Sequence, residues 1–422
     1  MYTNMTLLSR EAFDTAMDEM LSIQDAVRFL EDELQTRSLK SKIEKFSKGR
    51  DEKTLKNLLV KGIMEDHPES KQESVERRVR GWFDSKSGHS LNKEVAIEVA
   101  FILGLNLEEA DGFVAMVSGE KLHWRSADEI AYIFALKKGM KYTEAAALAA
   151  GMQGILADVR DSKEVMPDTF TSNVRPLLET LETVEELETF LREDSALLGH
   201  YHNYAYQAFM EMLYCLKTPV GSMEAEGIWG GKTEELTIRD ILREYMFQDS
   251  VIHARDKAVE TKKQVKKGEL PKEEQFILSR IQKEITDAWP DETTLSKMRS
   301  RKADVTRKVL VLLFLATDSD LGDELDNEKI WASGYSEEDY LNEEDSSGSF
   351  CEDMTREELF LDRKDRLNLL LNLCGYAELD PRCPFDWMIL YCMCAEDLLD
   401  VDDRMKQIFL EMFGYESENE DT

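Results

Sequence analysis

Apolar residues recur at intervals of three and four along most of this 422-residue chain, and no segment keeps the two-residue alternation of a half-buried strand. Phe13, Met17, Met20, Leu21, Ile23, Ala26, Val27, Leu30 and Leu34 mark such a run across 10–35. LKNLLVKGIME follows Thr54, read as the N-cap of a short amphipathic helix. His67-Pro68-Glu69-Ser70 interrupts it, and 71–83 resumes helical spacing. Asn92 leads into EVAIEVAFILGL, apolar enough to be buried, and helices over 107–117 and 127–136 follow. Eight Pro and twenty-one Gly leave few interruptions, and the abundance of Leu, Glu, Ala, Lys and Met favours helix. The pattern predicts an all-α, multi-helix protein. Its length predicts two or three domains, placed at 1–150, 151–252 and 253–422.

Charge is spread unevenly. The chain carries a formal −33, yet 36–93 holds fifteen Lys/Arg against nine Asp/Glu, and 253–308 holds fifteen against ten. The remaining residues sum to −44. Two basic islands in an acidic chain predict two surfaces that meet anions. An acidic insert, 317–358, holds sixteen Asp/Glu against two Lys/Arg and reads as a solvated loop.

An internal repeat relates the two ends of the chain. At an offset of 257, Phe113 falls on Leu370, Val117 on Cys374, Leu122 on Leu379, Arg125 on Arg382, Glu129 on Asp386, Ile133 on Leu390 and Phe134 on Tyr391. Upstream, 95–103 matches 309–315 at an offset of 214, and His67-Pro68-Glu69 matches Trp289-Pro290-Asp291 at an offset of 222. A duplicated module, with the acidic insert inside its second copy, accounts for the changing offset.

Residues 50–120 resemble the phage-repressor-like (Xre-type) helix-turn-helix proteins, in which a recognition helix precedes a segment like SLNKEVAIEVAFILGLNLEEA, here 90–110. The resemblance implies a helix-turn-helix-like module with 54–65 as the first helix and 71–83 as the recognition helix in a DNA major groove. It implies base contacts from Gln72, Ser74, Arg77, Arg78 and Arg80, since Arg reads guanine and Gln reads adenine bidentately. Lys53, Lys56 and Lys61 would face phosphates. The break EDHPES is longer than the usual three- or four-residue turn, a departure from the pattern. In the second island, Lys297, Arg299, Arg301, Lys302, Arg307 and Lys308 fall where the repeat puts a second recognition helix. Two such units in one chain would form a built-in pseudo-dimer on two half-sites.

Other chemistry finds little footing. EGIWGGKT (226–233) has Glu226 where a Walker A loop needs its first Gly. DSDLGDELDNEK (318–329) has Asp323 and Lys329 where a calcium loop needs Gly and Glu. Six His are scattered, and the HYH pair at His200 and His202 has no third ligand nearby. The six Cys form no C-x-x-C pair and read as structural thiols, and the Trp residues read as core anchors. The longest strongly apolar run, 309–316, is too short to span a bilayer, and the start of the chain has no signal-peptide pattern, so a cytoplasmic protein without cofactor or membrane partner is expected. The leading expectation is a non-enzymatic, DNA-binding transcriptional regulator of repressor type acting on double-stranded DNA. The rival is an acidic helical adaptor or inhibitor that reuses the repressor-like fold and binds a basic protein partner.

Overall fold

The computed structural model describes residues 6–18, 20–84, 90–217, 236–287, 289–317, 355–395 and 398–414. The EGIWGGKT and calcium-loop-like segments, and nearly all of the acidic insert, lie outside the described residues. The fold is all-α: every regular element among the described residues is helical, and β pairing is confined to the isolated bridges Glu120–Tyr376 and Ser126–Gly199. Contacts group the chain into two units, Arg37–Gln207 with Leu370–Glu378, and Met1–Thr36 with Ala208–Leu369 and Leu379–Thr422. Each of the three linear segments expected from composition contributes residues to both units.

The chain opens with α1 (Leu7–Ala16) and α2 (Ile23–Arg28), followed by a π turn over Phe29–Glu33. The helical spacing across 10–35 thus spans more than one helix. Asp18 accepts the Met20 N–H at 2.9 Å and Ser22 caps α2 through the Asp25 N–H, so side chains take over backbone groups that a continuous helix would pair.

In the unit of 37–207, α3 (Leu39–Lys45) precedes α4 (Glu52–Asp66). The N-cap of α4 is Asp51, not the expected Thr54: the Asp51 carboxylate accepts the Thr54 N–H at 2.9 Å, which places Thr54 inside the first turn. Leu55, Leu59 and Ile63, four apart, are fully buried. His67 closes α4 and Pro68 stops it. α5 (Gln72–Trp82) buries Val75, Val79 and Trp82. α6 (Lys93–Leu103), capped by Asn92, and α7 (Leu107–Ser118), with an Asn106/Glu109 capping box, form the buried floor. α4 comes close to α6 at Gly62, where a Cβ would lie 2.6 Å from the Ile102 side chain. Then α8 (Ile130–Lys138), α9 (Tyr142–Leu156), α10 (Thr171–Thr180) and α11 (Val184–Glu193) complete the helices of this unit, before α12 (Asn203–Lys217).

The other unit continues with α13 (Ile238–Glu244), α14 (Gln248–Lys267), α15 (Arg280–Asp287), α16 (Glu292–Arg299), α17 (307–317), α18 (Arg356–Leu373), α19 (Pro384–Met393) and α20 (Leu398–Phe413). Pro384 stands at the first turn of α19, where its missing N–H costs nothing. Every residue of α19 is buried, and Trp387 Nε1 donates to the Ala12 carbonyl at 2.8 Å. Trp289 Nε1 donates to the Met246 carbonyl at 2.7 Å, which satisfies a second buried indole. Trp82 and Trp124 are also buried, while Trp229 and Trp331 lie outside the described residues.

Residues paired by the sequence offsets make matching contacts inside their own units. Asp111 accepts the Leu122 N–H at 2.8 Å, and Asn368 accepts the Leu379 N–H at 2.9 Å. Lys93 pairs with Glu129 at 2.7 Å, and Arg307 pairs with Asp386 at 2.7 Å. Glu129 accepts the His123 N–H and Asp386 the Asp380 N–H, each at 2.9 Å. Arg125 donates to the Leu197 and Tyr201 carbonyls, and Arg382 donates to the Gln35 carbonyl.

The close approach at Gly62 gives a test. Ala normally stabilises a helix interior by about 1 kcal/mol over Gly. In Gly62→Ala the Ile102 side chain must move, at a typical overpacking cost of about 1–3 kcal/mol, so urea unfolding should show a net loss. Gly151→Ala, in α9 with nothing within 4 Å of the added Cβ, should instead gain stability in the same assay.

Candidate nucleic-acid interface

α4 packs against both α5 and α6, and α6 packs in turn on α7, so the α4–α5 pair is joined to the buried helices chiefly through α4. With Val75, Val79 and Trp82 turned inward, helical periodicity turns Ser74, Arg77 and Arg80 outward, with Gln72 and Arg78 on the flanks. All five are exposed. The connection runs through five residues, 67–71, longer than the short turn of the family pattern.

The eight positions expected to face DNA differ in how far the protein already uses them. Lys53, Arg77 and Arg80 are exposed and make no ion pair among the described residues. Arg78 lies over the Trp82 ring at 5.6 Å, a cation–π contact that leaves its guanidinium edge available for hydrogen bonding. Gln72 donates to Glu76 at 2.8 Å within α5. Lys61 pairs with Glu65 at 3.5 Å, both exposed. Lys56 is held most firmly: it reaches Glu52 at 2.5 Å and sits 5.0 Å from the Phe83 ring. Glu52 lies between Lys40 and Lys56, and hydrogen bonds from both lower its carboxyl to about 2. Lys56 therefore braces the module rather than standing free for phosphate. Lys71, exposed at the start of α5, is a further cation that the sequence reading left out.

The second basic island divides differently. Lys297 and Arg299 are exposed in the last turn of α16, and Lys302 is exposed just beyond it. Arg301 is not with them: it is 8% exposed, in a left-handed conformation with φ 57°. Arg307 and Lys308 begin α17 instead of joining a recognition helix. Arg307 pairs with buried Asp386, and Lys308 lies 5.0 Å from the Phe385 ring. A run of basic residues does not make one face here: the turn at 300–302 sends Arg301 inward, and the ion pair to Asp386 claims Arg307.

Behind α5 lies a pair that charge counting passed over. Glu98 of α6 is buried, and its Oε1 lies 3.2 Å from Nε2 of His67 in the α4–α5 turn. Burial pushes the Glu98 carboxyl above its ordinary range, against the opposing pull of His67 and Arg78. Its signal in the sequence was a lone carboxylate inside the apolar run VAIEVAFIL.

Of the HYH pair, His202 is buried and stacks on His123 with ring centroids 3.8 Å apart, whereas His200 meets Asp128 at 3.2 Å. No group of three or more His, Cys, Asp or Glu among the described residues is arranged to hold a metal. Cys374, Cys392 and Cys394 are buried, and desolvation raises the Cys383 thiol to about 12, far from a reactive thiolate. No helix among the described residues is long and apolar enough to cross a membrane. Compared with known proteins, the chain matches no protein-family model, no curated protein and no solved structure.

These placements separate surface cations from structural ones. Arg77→Ala and Arg80→Ala should each leave the unfolding free energy measured in urea unchanged to within about 0.5 kcal/mol. Arg301→Ala, which removes a buried polar side chain, should lower it by about 1–3 kcal/mol.

Proposed function

We propose that this chain is a non-enzymatic, double-stranded-DNA-binding regulator and that α5 is its principal reading helix. The observation that carries the reading is the outward side of α5. Arg77 and Arg80 stand there without ion pairs among the described residues, beside Ser74 and Arg78, on a helix whose other side is anchored by Val75, Val79 and Trp82. An exposed arginine without an internal partner keeps its donors for phosphate or a guanine edge. The α4–α5 pair backed by α6 and α7 agrees with the resemblance to phage-repressor-like proteins. Lys53 and Lys71 add phosphate-facing charge, while Gln72, Lys56 and Lys61 contribute less because each already has a partner.

The reading extends to two copies of one module. The equivalence of the Leu122–Asp111 and Leu379–Asn368 hydrogen bonds, and of the Lys93–Glu129 and Arg307–Asp386 ion pairs, supports a duplication, since chance similarity of amphipathic helices would not reproduce the same polar partners. In the second copy Lys297, Arg299 and Lys302 remain as candidate contacts around the eight-residue α16.

Fluorescence anisotropy with the full chain and a random duplex at about 50 mM salt tests the reading. Arg77→Glu combined with Arg80→Glu should weaken binding at least tenfold and flatten the slope of log K against log salt by about two. Lys61→Glu should have a smaller effect. Equal affinity for the double mutant and wild type would rule out α5 as the reading helix. No binding by the wild type, together with capture of a basic protein, would favour the adaptor reading.

A further inference from the structure

Of the helices α4 to α7, α5 is the one whose start has no side-chain cap among the described residues. Asp51, Asn92 and Asn106 each cap their helices through a side chain, whereas Lys71 at the N-cap of α5 makes no such hydrogen bond among the described residues. The five-residue turn with Pro68 leaves α5 free of α4's hydrogen-bond ladder. What reaches this turn comes from the helix beneath. Glu98, the one charged residue between Val95 and Leu103, is 4% exposed, and its Oε1 lies 3.2 Å from Nε2 of His67. The same carboxylate interacts electrostatically with Arg78, the seventh residue of α5.

The surroundings make this an expensive place for a charge. Glu69 faces the other nitrogen of His67 at 3.7 Å. Asp66 closes α4 beside it, and burial raises its carboxyl too. From α9, Tyr142 faces Glu98 with its hydroxyl pushed up, chiefly by burial, and Tyr132 of α8 stacks on Tyr142 at 5.7 Å. A carboxylate raised in the folded state stabilises below its unfolded value, and that stability is lost as pH rises through the folded value. At neutral pH and above, Glu98 therefore costs stability. In some proteins a buried charge is retained at such a cost because it selects one arrangement among several.

We propose that Glu98 is a positioning residue that fixes the His67 turn, and through it the direction in which α5 presents Arg77 and Arg80. Its consequence for DNA rests on the reading of α5 given above, while the positioning of α5 is measurable without DNA.

The test uses the full chain carrying Glu98→Gln, which keeps the shape and removes the charge, and a second variant, His67→Gln, which removes the other partner. Hydrogen exchange of the Val75–Trp82 amides is read at pH 5.5 and pH 8, alongside thermal unfolding and affinity for a random duplex. In both variants the α5 amides should exchange at least fivefold faster at pH 8, while amides of α6 and α7 keep wild-type rates. For Glu98→Gln the unfolding midpoint at pH 8 should equal or exceed that of the wild type, and the difference should shrink toward pH 5.5. Duplex affinity should fall at least fivefold. A side chain that merely held the core would lower the midpoint and speed exchange throughout the unit, and that result, or failure of Glu98→Gln to fold, overturns the proposal. Unchanged α5 exchange also overturns it. Faster α5 exchange with no duplex binding by the wild type would sustain the positioning and reject the DNA reading.

Discussion

A buried ion pair organises the module that carries α5. Lys93, the first residue of α6, meets Glu129 at 2.7 Å, and both side chains are about 15% exposed. The other oxygen of Glu129 takes the His123 N–H, which holds the 123–129 turn against the start of α6. From that turn Arg125 reaches the Leu197 and Tyr201 carbonyls, and Asp161 takes the N–H groups of His200 and Tyr201. The polar groups of a long irregular segment are thus satisfied by a short series of charged side chains, as burial requires. Breaking one partner of such a pair typically costs about 3–5 kcal/mol, because the other charge stays buried and alone. Even with Lys93 in place, burial keeps the Glu129 carboxyl above its ordinary range.

The equivalent pair in the other unit, Arg307 with Asp386, shows how far the sequence could be read. Apolar spacing announced the helices, because a three-four pattern has one structural meaning when the runs are long and turns are marked by Pro, Gly and capping residues. The offsets of 257 and 214 put Arg307 on Lys93 and Asp386 on Glu129, so the repeat contained the ion pair in advance. Counting Arg307 among surface cations ignored that correspondence. Helix ends were less legible. Asp51 and Thr54 are both good caps, and only the direction in which the chain enters α4 decides between them. The break after Ala16 had no apolar signal, since Met17, Met20 and Leu21 keep helical spacing through a segment that is not one helix.

The basic islands were legible as composition and not as surface. Lys40, Lys48, Lys56 and Lys61 all have carboxylate partners that a one-dimensional count cannot assign. Ion pairs of this kind contribute little stability when exposed, yet they reduce the field a distant anion feels. Once they are set aside, the cations near α5 without ion pairs among the described residues are Lys53, Lys71, Arg77, Arg78 and Arg80, in a chain that is otherwise strongly acidic. Arg301 fails as a surface residue for a backbone reason: its left-handed φ turns the chain at 300–302 and carries its side chain into the unit.

A net charge of −33 does not prevent such a helix from meeting DNA, because screening confines each charge to about 8 Å at physiological ionic strength. It does change the kind of binding that results. Acidic surroundings repel a duplex everywhere except at the cations themselves, so long-range steering and non-specific sliding are weak. On the proposed reading, affinity for a duplex depends on α5 docking in one orientation, with its few arginines delivered together. A helix without a side-chain cap, after a turn of five residues, has more freedom than that requirement allows. In the arrangement proposed above, the contact of Glu98 with His67 supplies the missing restraint from the helix beneath, at the cost of a buried carboxyl that desolvation raises and His67 and Arg78 pull down only in part.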